Sequence, residues 1–210
     1  MAITSPAGNG TTVSSSSLSV SGTAFDSVGV TAVYLRVNGG TWVAASGTTS
    51  WAGNVSLSVG INTIDAYSKD AANNASSVVS RTVTYTLPTP LQAWRQTYFG
   101  SIDNSGDRAD LNDFDKDGIP NIVEFAFGLN PQQNSAGMLP QAKKIGSNLM
   151  ISFAQSAGVS GITYGAEWSQ TLLPGSWTLV PDTGTSPQHT FSVPIGTKRN
   201  LYMRLKVTSP

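Results

Sequence analysis

The residues of this chain best equipped for chemistry lie in the run Asp113-Phe114-Asp115-Lys116-Asp117-Gly118-Ile119-Pro120-Asn121-Ile122-Val123-Glu124. Carboxylates stand at its first, third and fifth places, glycine at the sixth and a further carboxylate at the twelfth. Alternate side chains on a tight turn converge, so Asp113, Asp115 and Asp117 bring oxygens toward one point, and Gly118 allows the sharp turn that follows. Such a constellation suits a hard divalent cation: calcium takes about 6–8 oxygens at roughly 2.3–2.6 Å. The Ile119 backbone carbonyl and the Asn121 side chain, directly or through a water, would add to the shell, and Glu124 would close it with both oxygens. A solvated acidic loop is the alternative; that every special position is filled favours Ca2+.

Charge is distributed in keeping with an ion. The chain has a formal net charge of +0, yet seven of its 12 acidic residues (Asp103, Asp107, Asp110, Asp113, Asp115, Asp117 and Glu124) crowd into positions 103–124 beside only Arg108 and Lys116, a local charge of −5. Such crowding repels itself unless a cation sits among the carboxylates. At an extracellular calcium concentration of about 1 mM and a dissociation constant of order 10 µM, binding to the folded state alone adds roughly 2.7 kcal/mol. That is a sizeable share of a domain's stability. Whether Asp103, Asp107 and Asp110 gather a second cation is open at this point, and so is the choice between a cation and plain turn hydrogen bonds at Asp26 and Asp70, where turns are favoured.

Other chemistry lacks material. The chain has 0 cysteines and 1 histidine, His189, so disulfides, thiolate metal sites and base-assisted nucleophiles have almost nothing to draw on. His189, entering a strand, is read as structural or solvent-facing. Outside the acidic cluster only Asp26, Asp65, Asp70, Glu167 and Asp182 remain, and no two stand in the context that glycoside cleavage requires. No catalytic residue is assigned, and the chain is read as non-enzymatic. The neutral balance without a basic patch argues against nucleic acid, and no apolar run approaches 18 residues, which argues against membrane insertion.

The elements around the loop follow from spacing. Leu87-Pro88-Thr89-Pro90 reads as a linker ending in a helix cap and first helical position. Leu91, Trp94, Arg95, Tyr98 and Phe99 then recur at helical spacing up to Gly100, with Trp94 expected to pack this helix onto the loop unit. A second short helix is predicted from near Pro120 to Phe127, stopped by Gly128 and Pro131, carrying Glu124 and offering Ile122, Phe125, Ala126 and Leu129 to a small core. Residues 101–112 make a poor entering helix, so half of a helix–loop–helix calcium unit is expected.

Either side is β-structure. Residues 1–86 are short alternating runs cut by turn residues, about seven strands. Val33, Leu35 and Val37 share one strand face, Asn38-Gly39-Gly40 supplies a positive-φ hairpin turn, and Trp51, Gly53, Val55, Leu57 and Val59 alternate strictly, with Trp51 in the core. Residues 138–210 read as a small sandwich of five or six strands, closing on Leu201, Met203, Leu205 and Val207 facing in and Tyr202, Arg204 and Lys206 facing out; this last strand is expected to be paired, because a free edge invites aggregation. The fold class is mainly β: two β-sandwich modules, 1–86 and 138–210, joined by a two-helix calcium unit at 87–137. On the first module Tyr34, Trp42 and Tyr67 point outward and could stack sugar rings, with Arg36 and Asp65 available to hydroxyls; the plainer reading has the three scattered or covered by a neighbour.

Through Ile3-Thr4-Ser5-Pro6, Val20-Ser21-Gly22-Thr23-Ala24, Asn38-Gly39-Gly40-Thr41-Trp42, Gly60-Ile61-Asn62-Thr63-Ile64 and Asp70-Ala71-Ala72-Asn73-Asn74, the first module resembles the bacterial immunoglobulin-like modules repeated in secreted enzymes and adhesins. The usual glycine after Asp-Ala-Ala is Asn73 here, compatible with a left-handed turn residue. The loop and its flanks resemble the EF-hand-like calcium repeats of dockerins and of thrombospondin type 3 segments, and look closest to the Trp-Arg helix, calcium loop and Gly-x-x-Pro ending near the C-termini of large secreted bacterial proteins. Dockerins carry two repeats, so one copy argues against a cohesin partner. Through Tyr164, Trp177 and Leu201-Tyr202-Met203-Arg204-Leu205 the last module resembles the β-module that follows such loops.

These readings lead to one expectation: a non-catalytic, calcium-stabilised accessory or spacer of a secreted bacterial protein, its ion fixing the angle between the sandwiches and positioning neighbouring domains. The alternatives are a carbohydrate-binding module, with polysaccharide as partner through Tyr34, Trp42 and Tyr67, and an adhesin or surface-anchoring segment. The Ser/Thr/Gly/Asn-rich composition suits an extracellular setting; Met1-Ala2 reads as the start of a piece of a larger parent, to whose domains it would be covalently linked, with no signal peptide in this stretch.

Overall fold

The structure is a computed structural model that describes residues 1–209. It is mainly β, and the chain divides into two compact units, Met1–Leu87 and Pro88–Pro210.

In the first unit, apolar side chains at alternate positions give the longer strands one buried face. Strands β1 (Ala2–Ser5), β3 (Ser17–Thr23), β7 (Ser50–Ser56) and β6 (Ser46–Gly47) form one sheet in that order. Strands β2 (Thr11–Val13), β9 (Val79–Tyr85), β8 (Gly60–Asp70), β4 (Val30–Val37) and β5 (Val43–Ala44) form the other, β2 running parallel to β9. Val20, Val33, Leu35, Trp51, Val55, Ile64, Ala66 and Val83 fill the space between. The Trp51 indole lies so close to Gly22 that a Cβ there would stand 2.3 Å from the ring and 2.0 Å from the Ala2 carbonyl oxygen. Asn38 (φ 51°) and Gly39 (φ 71°) turn β4 back toward β5, the left-handed pair that a twisted hairpin needs.

The strand expected to run from Trp51 to Val59 stops at Ser56. Asn62 captures both backbone groups of Ser58, accepting from its N–H and donating to its carbonyl, which bends the chain out of the sheet and leaves Val59 63% exposed.

In the second unit, helix α1 (Pro90–Phe99) starts at Thr89, whose hydroxyl accepts from Gln92 N while Gln92 Oε1 accepts from Thr89 N, and it ends at left-handed Gly100. Residues 101–120 contain only a single turn of 3-10 helix, Gly106–Arg108, before helix α2 (Asn121–Phe127) and its left-handed stop at Gly128. Two three-stranded sheets follow. One has the order β10 (Lys143–Ile145), β11 (Asn148–Ala154), β14 (Gln188–Pro194), and the other β13 (Thr178–Val180), β12 (Thr163–Ser169), β15 (Tyr202–Thr208).

Two expectations change here. Residues 87–137 and 138–210 do not separate: Ala126 of α2 lies in one buried cluster with Tyr164, Ala166, Val180, Phe191 and Val193. The Tyr164 hydroxyl donates to the Ala126 carbonyl at 2.5 Å, and the Phe127 ring packs on Phe153 and Tyr164. Two three-stranded sheets offer too little apolar surface to close a core, and α2 supplies the missing side. Second, the final strand is paired on one side only. β15 bonds to β12 and forms the edge of its sheet.

Candidate metal centre

The acidic run forms a compact loop between the 3-10 turn and α2. Asp113 Oδ1 accepts from Asp117 N at 3.2 Å and its Oδ2 from Gly118 N at 2.8 Å. Asp115 Oδ1 accepts from Asp117 N at 3.2 Å, and Asp117 Oδ1 from Ile119 N at 2.8 Å. Lys116 (φ 65°) and Gly118 (φ 92°) take left-handed conformations that wind the chain about these carboxylates. One oxygen each from Asp113, Asp115 and Asp117 lie within 4.8 Å of one another, the sole such gathering of metal-ligating side chains among the described residues. Burial pushes Asp113 up, but backbone hydrogen bonds from Gly118, Asp117 and Lys116 outweigh it and hold the carboxyl below its ordinary value.

The rest of the proposed shell is placed differently. Ile119 is buried two residues before α2 begins. Asn121 is buried, and its amide nitrogen grips the carbonyls of Asp107 and Ala109, both at 2.8 Å. Glu124 stands outside the 4.8 Å set and is 0% exposed. Its burial, then the charges of Asp115, Asp117 and Asp113, raise its carboxyl from the ordinary value to about 7.

Which buried atoms lack partners tests the fit to a cation. Among the described residues, the fully buried side-chain oxygens without a hydrogen bond are Asp115 Oδ2, Asn121 Oδ1 and both oxygens of Glu124. All four belong to places three, nine and twelve of the run. A buried acceptor without a donor costs about 1–3 kcal/mol, more when charged; oxygens without protons are what calcium seeks. The residues present fit the ion.

Sequence reasoning missed three supports of this loop. Arg95, placed on the apolar stripe of α1, is buried and paired with Asp110, which also accepts from Asn104 Nδ2 at 3.1 Å. Asp103 accepts from Ser101 Oγ at 2.8 Å, so Asp103 and Asp110 are engaged with the protein, and neither joins the gathered set. Asp117 Oδ2 accepts from Ser135 N, which fastens the segment beyond α2. No local pattern announces the first or the last, fifteen and eighteen residues distant. Trp94 packs where expected, its ring 5.9 Å from Phe125 of α2.

Asp70 and Asp26 make turns. Asp70 accepts from Ala72 N, Asn74 N and Asn74 Nδ2, led by the Asn74 side chain in holding its carboxyl low. Asp26 accepts from Val28 N. His189 is structural: Nδ1 lies 2.6 Å from Asp182 Oδ2 and the ring sits among Phe153, Tyr164 and Phe191.

Tyr34, Trp42 and Tyr67 are neither scattered nor coplanar. Tyr34 and Tyr67 stack on each other at 5.2 Å, Trp42 meets Tyr67 edge-on at 4.6 Å, and the Arg36 guanidinium lies 4.4 Å above the Trp42 ring. Arg36 also binds Asp65 at 2.8 Å, and Ser80 takes the other Asp65 oxygen. The ring faces and polar groups that a sugar would need are engaged with one another.

Residues 1–93 match the family described as Bacterial Ig domain. No curated protein matches the chain. Among solved structures, it is similar to the fibronectin(III)-like modules of Clostridium thermocellum CbhA, at 21% identity over 41% of this chain and 96% of that one with a TM-score of 0.37. It is also similar to the chitinase ChiA74 from Bacillus thuringiensis, at 14% identity over 100% of this chain and 26% of that one with a TM-score of 0.30. The chain thus spans about a quarter of the chitinase's length, and neither likeness is close enough to carry an argument. The family match and the paired sheets of four and five strands make the first module bacterial immunoglobulin-like.

Proposed function

We propose that this chain is a non-catalytic, calcium-stabilised accessory region of a secreted bacterial protein, holding neighbouring domains in place. Asp113, Asp115 and Asp117 would bind the ion on one side and Glu124 on the other, with the Ile119 carbonyl and Asn121 Oδ1 completing the shell. The observation that carries this reading is the set of four buried, partnerless oxygens confined to the loop. Bacterial immunoglobulin-like modules are an extracellular kind, and no helix among the described residues is long and apolar enough to cross a membrane.

The ion's mechanical effect would differ from a hinge between sandwiches. Glu124 and Ala126 share one helix, and Ala126 is built into the second core. Calcium would therefore fasten α2, and through it the open side of the second sandwich. Titration calorimetry of the chelator-treated chain should show one calcium site, and limited proteolysis should show protection of residues 101–131 on binding. The paired substitution Asp113→Ala with Asp117→Ala should abolish both; unchanged heat and unchanged protection would sink the reading.

A further inference from the structure

The second sandwich ends in an edge strand. Among the described residues, β15 has a backbone ladder with β12 alone, so every second N–H and C=O along it is turned away from any partner strand. Two grooves run along it. One of about 360 Å³ lies between Met203, Leu205 and Val207 of β15, the segment 139–142, and Ile119, Pro120 and Val123. The other, of about 490 Å³, continues past Val207 to Leu111, Ile122 and Ser209. Leu111 is 85% exposed. Met203 and Val207 pack against the second core, yet they and Leu205 are only half-buried.

Charge selects the occupant. Arg204 and Lys206 stand side by side on the outer face of β15, and both lean on one carboxylate, Glu167, at 2.8 Å and 3.5 Å, so the row keeps a net positive charge. Residues 138–210 carry six basic side chains against Glu167 and Asp182. Full-length antiparallel pairing of β15 with a second copy, centred on Leu205, would set Arg204 opposite Lys206 of the copy, and like charges directly opposite are destabilising. We infer that the β15 edge accepts an extended protein segment that alternates acidic and apolar residues, adding it as a further strand. Its acidic side chains would lie beside Arg204 and Lys206, and its apolar ones would enter the groove between β15 and α2.

The test uses the full chain in calcium chloride and two synthetic probes, a nine-residue peptide alternating Glu with Val and its Lys–Val counterpart, followed by amide shifts and hydrogen exchange. The Glu peptide is expected to bind about five-fold more tightly than the Lys peptide, shifting and protecting amides in 202–208 and shifting those in 119–123. Lys206→Glu, at an exposed side chain, should reverse the preference. Three results would overturn the inference: binding of neither peptide, equal binding of both, or self-association of the chain through 202–208.

Discussion

Two buried asparagines divide this molecule. In the first unit, Asn62 has all its hydrogen-bonding capacity filled: Oδ1 accepts from Asn38 Nδ2 and Ser58 N, and Nδ2 donates to the carbonyls of Ser58 and Gly60. In the second, Asn121 donates twice, to Asp107 and Ala109, while its buried oxygen accepts nothing. The carboxylates repeat the contrast. Buried Asp65 and Asp70 are bonded to Arg36, Ser80, Ala72 and Asn74; buried Glu124 is bonded to none. The buried side-chain oxygens of the first unit are met by its own chain, whereas the partnerless buried oxygens all lie in the second. If calcium fills the loop as proposed, stability is intrinsic to one sandwich and depends on the solvent's calcium for the other.

The comparison would break first at Trp51. Trp51→Ala empties the centre of the first core and should cost about 3–5 kcal/mol, read as a fall of the first unit's transition in two-transition calorimetry. The cost should be the same in calcium and in chelator; a calcium-dependent cost would mean that the first unit also leans on the ion.

Chelation is the next largest effect. Removing calcium from a solution at a hundredfold excess over the dissociation constant should lower the second unit's stability by about 2.7 kcal/mol and leave the first transition where it stands. Equal shifts in both transitions would erase the distinction.

The pH dependence sharpens it further. With Glu124 at about 7 in the folded chain against 4.5 ordinarily, the metal-free folded state retains a proton that the unfolded state releases between those values. The second unit should therefore lose stability as pH rises from 4.5 to about 7, the reverse of an ordinary paired carboxylate. Glu124→Gln should flatten that slope and weaken calcium binding together. A metal-free melting midpoint that rises over the same window would show that Glu124 has found a donor in solution.

What was legible in the sequence was local. Thr89, Pro90, Gln92 and Gly100 bound α1 within eleven residues, and the loop's acids lie at fixed short spacing, so both could be placed without a fold. The contacts that join the parts could not. Tyr164 meets Ala126 across 38 residues and Ser135 meets Asp117 across 18, and no periodicity encodes such pairings. Hence the elements are expected nearly as they stand, while α2 is assigned to a small core of its own instead of that of the second sandwich. Arg95 shows the other limit: helical spacing says that a position faces inward, not that an aspartate waits there to neutralise it. The aromatic trio shows it too, since alternation puts Tyr34 and Tyr67 on one face and leaves open whether they offer their rings to a ligand or to each other.

The smallest effect tests the joint itself. The Ala126 carbonyl lies in the last turn of α2, where helical carbonyls lack helical donors, and the Tyr164 hydroxyl is its partner. Tyr164→Phe keeps the ring against Phe127 and Phe153 and deletes only that donor, so it should cost about 1 kcal/mol. Calcium should still bind, because Glu124 and the three aspartates are untouched. What should fall is the ion's reach: if α2 carries the constraint into the sandwich, the gain in amide protection that calcium gives β12 will be smaller in the variant than in the native chain, while protection within 113–124 stays the same. An undiminished gain at β12 would mean that packing by Ala126 and Phe127 alone couples loop to core, and the hydroxyl serves only the carbonyl it caps.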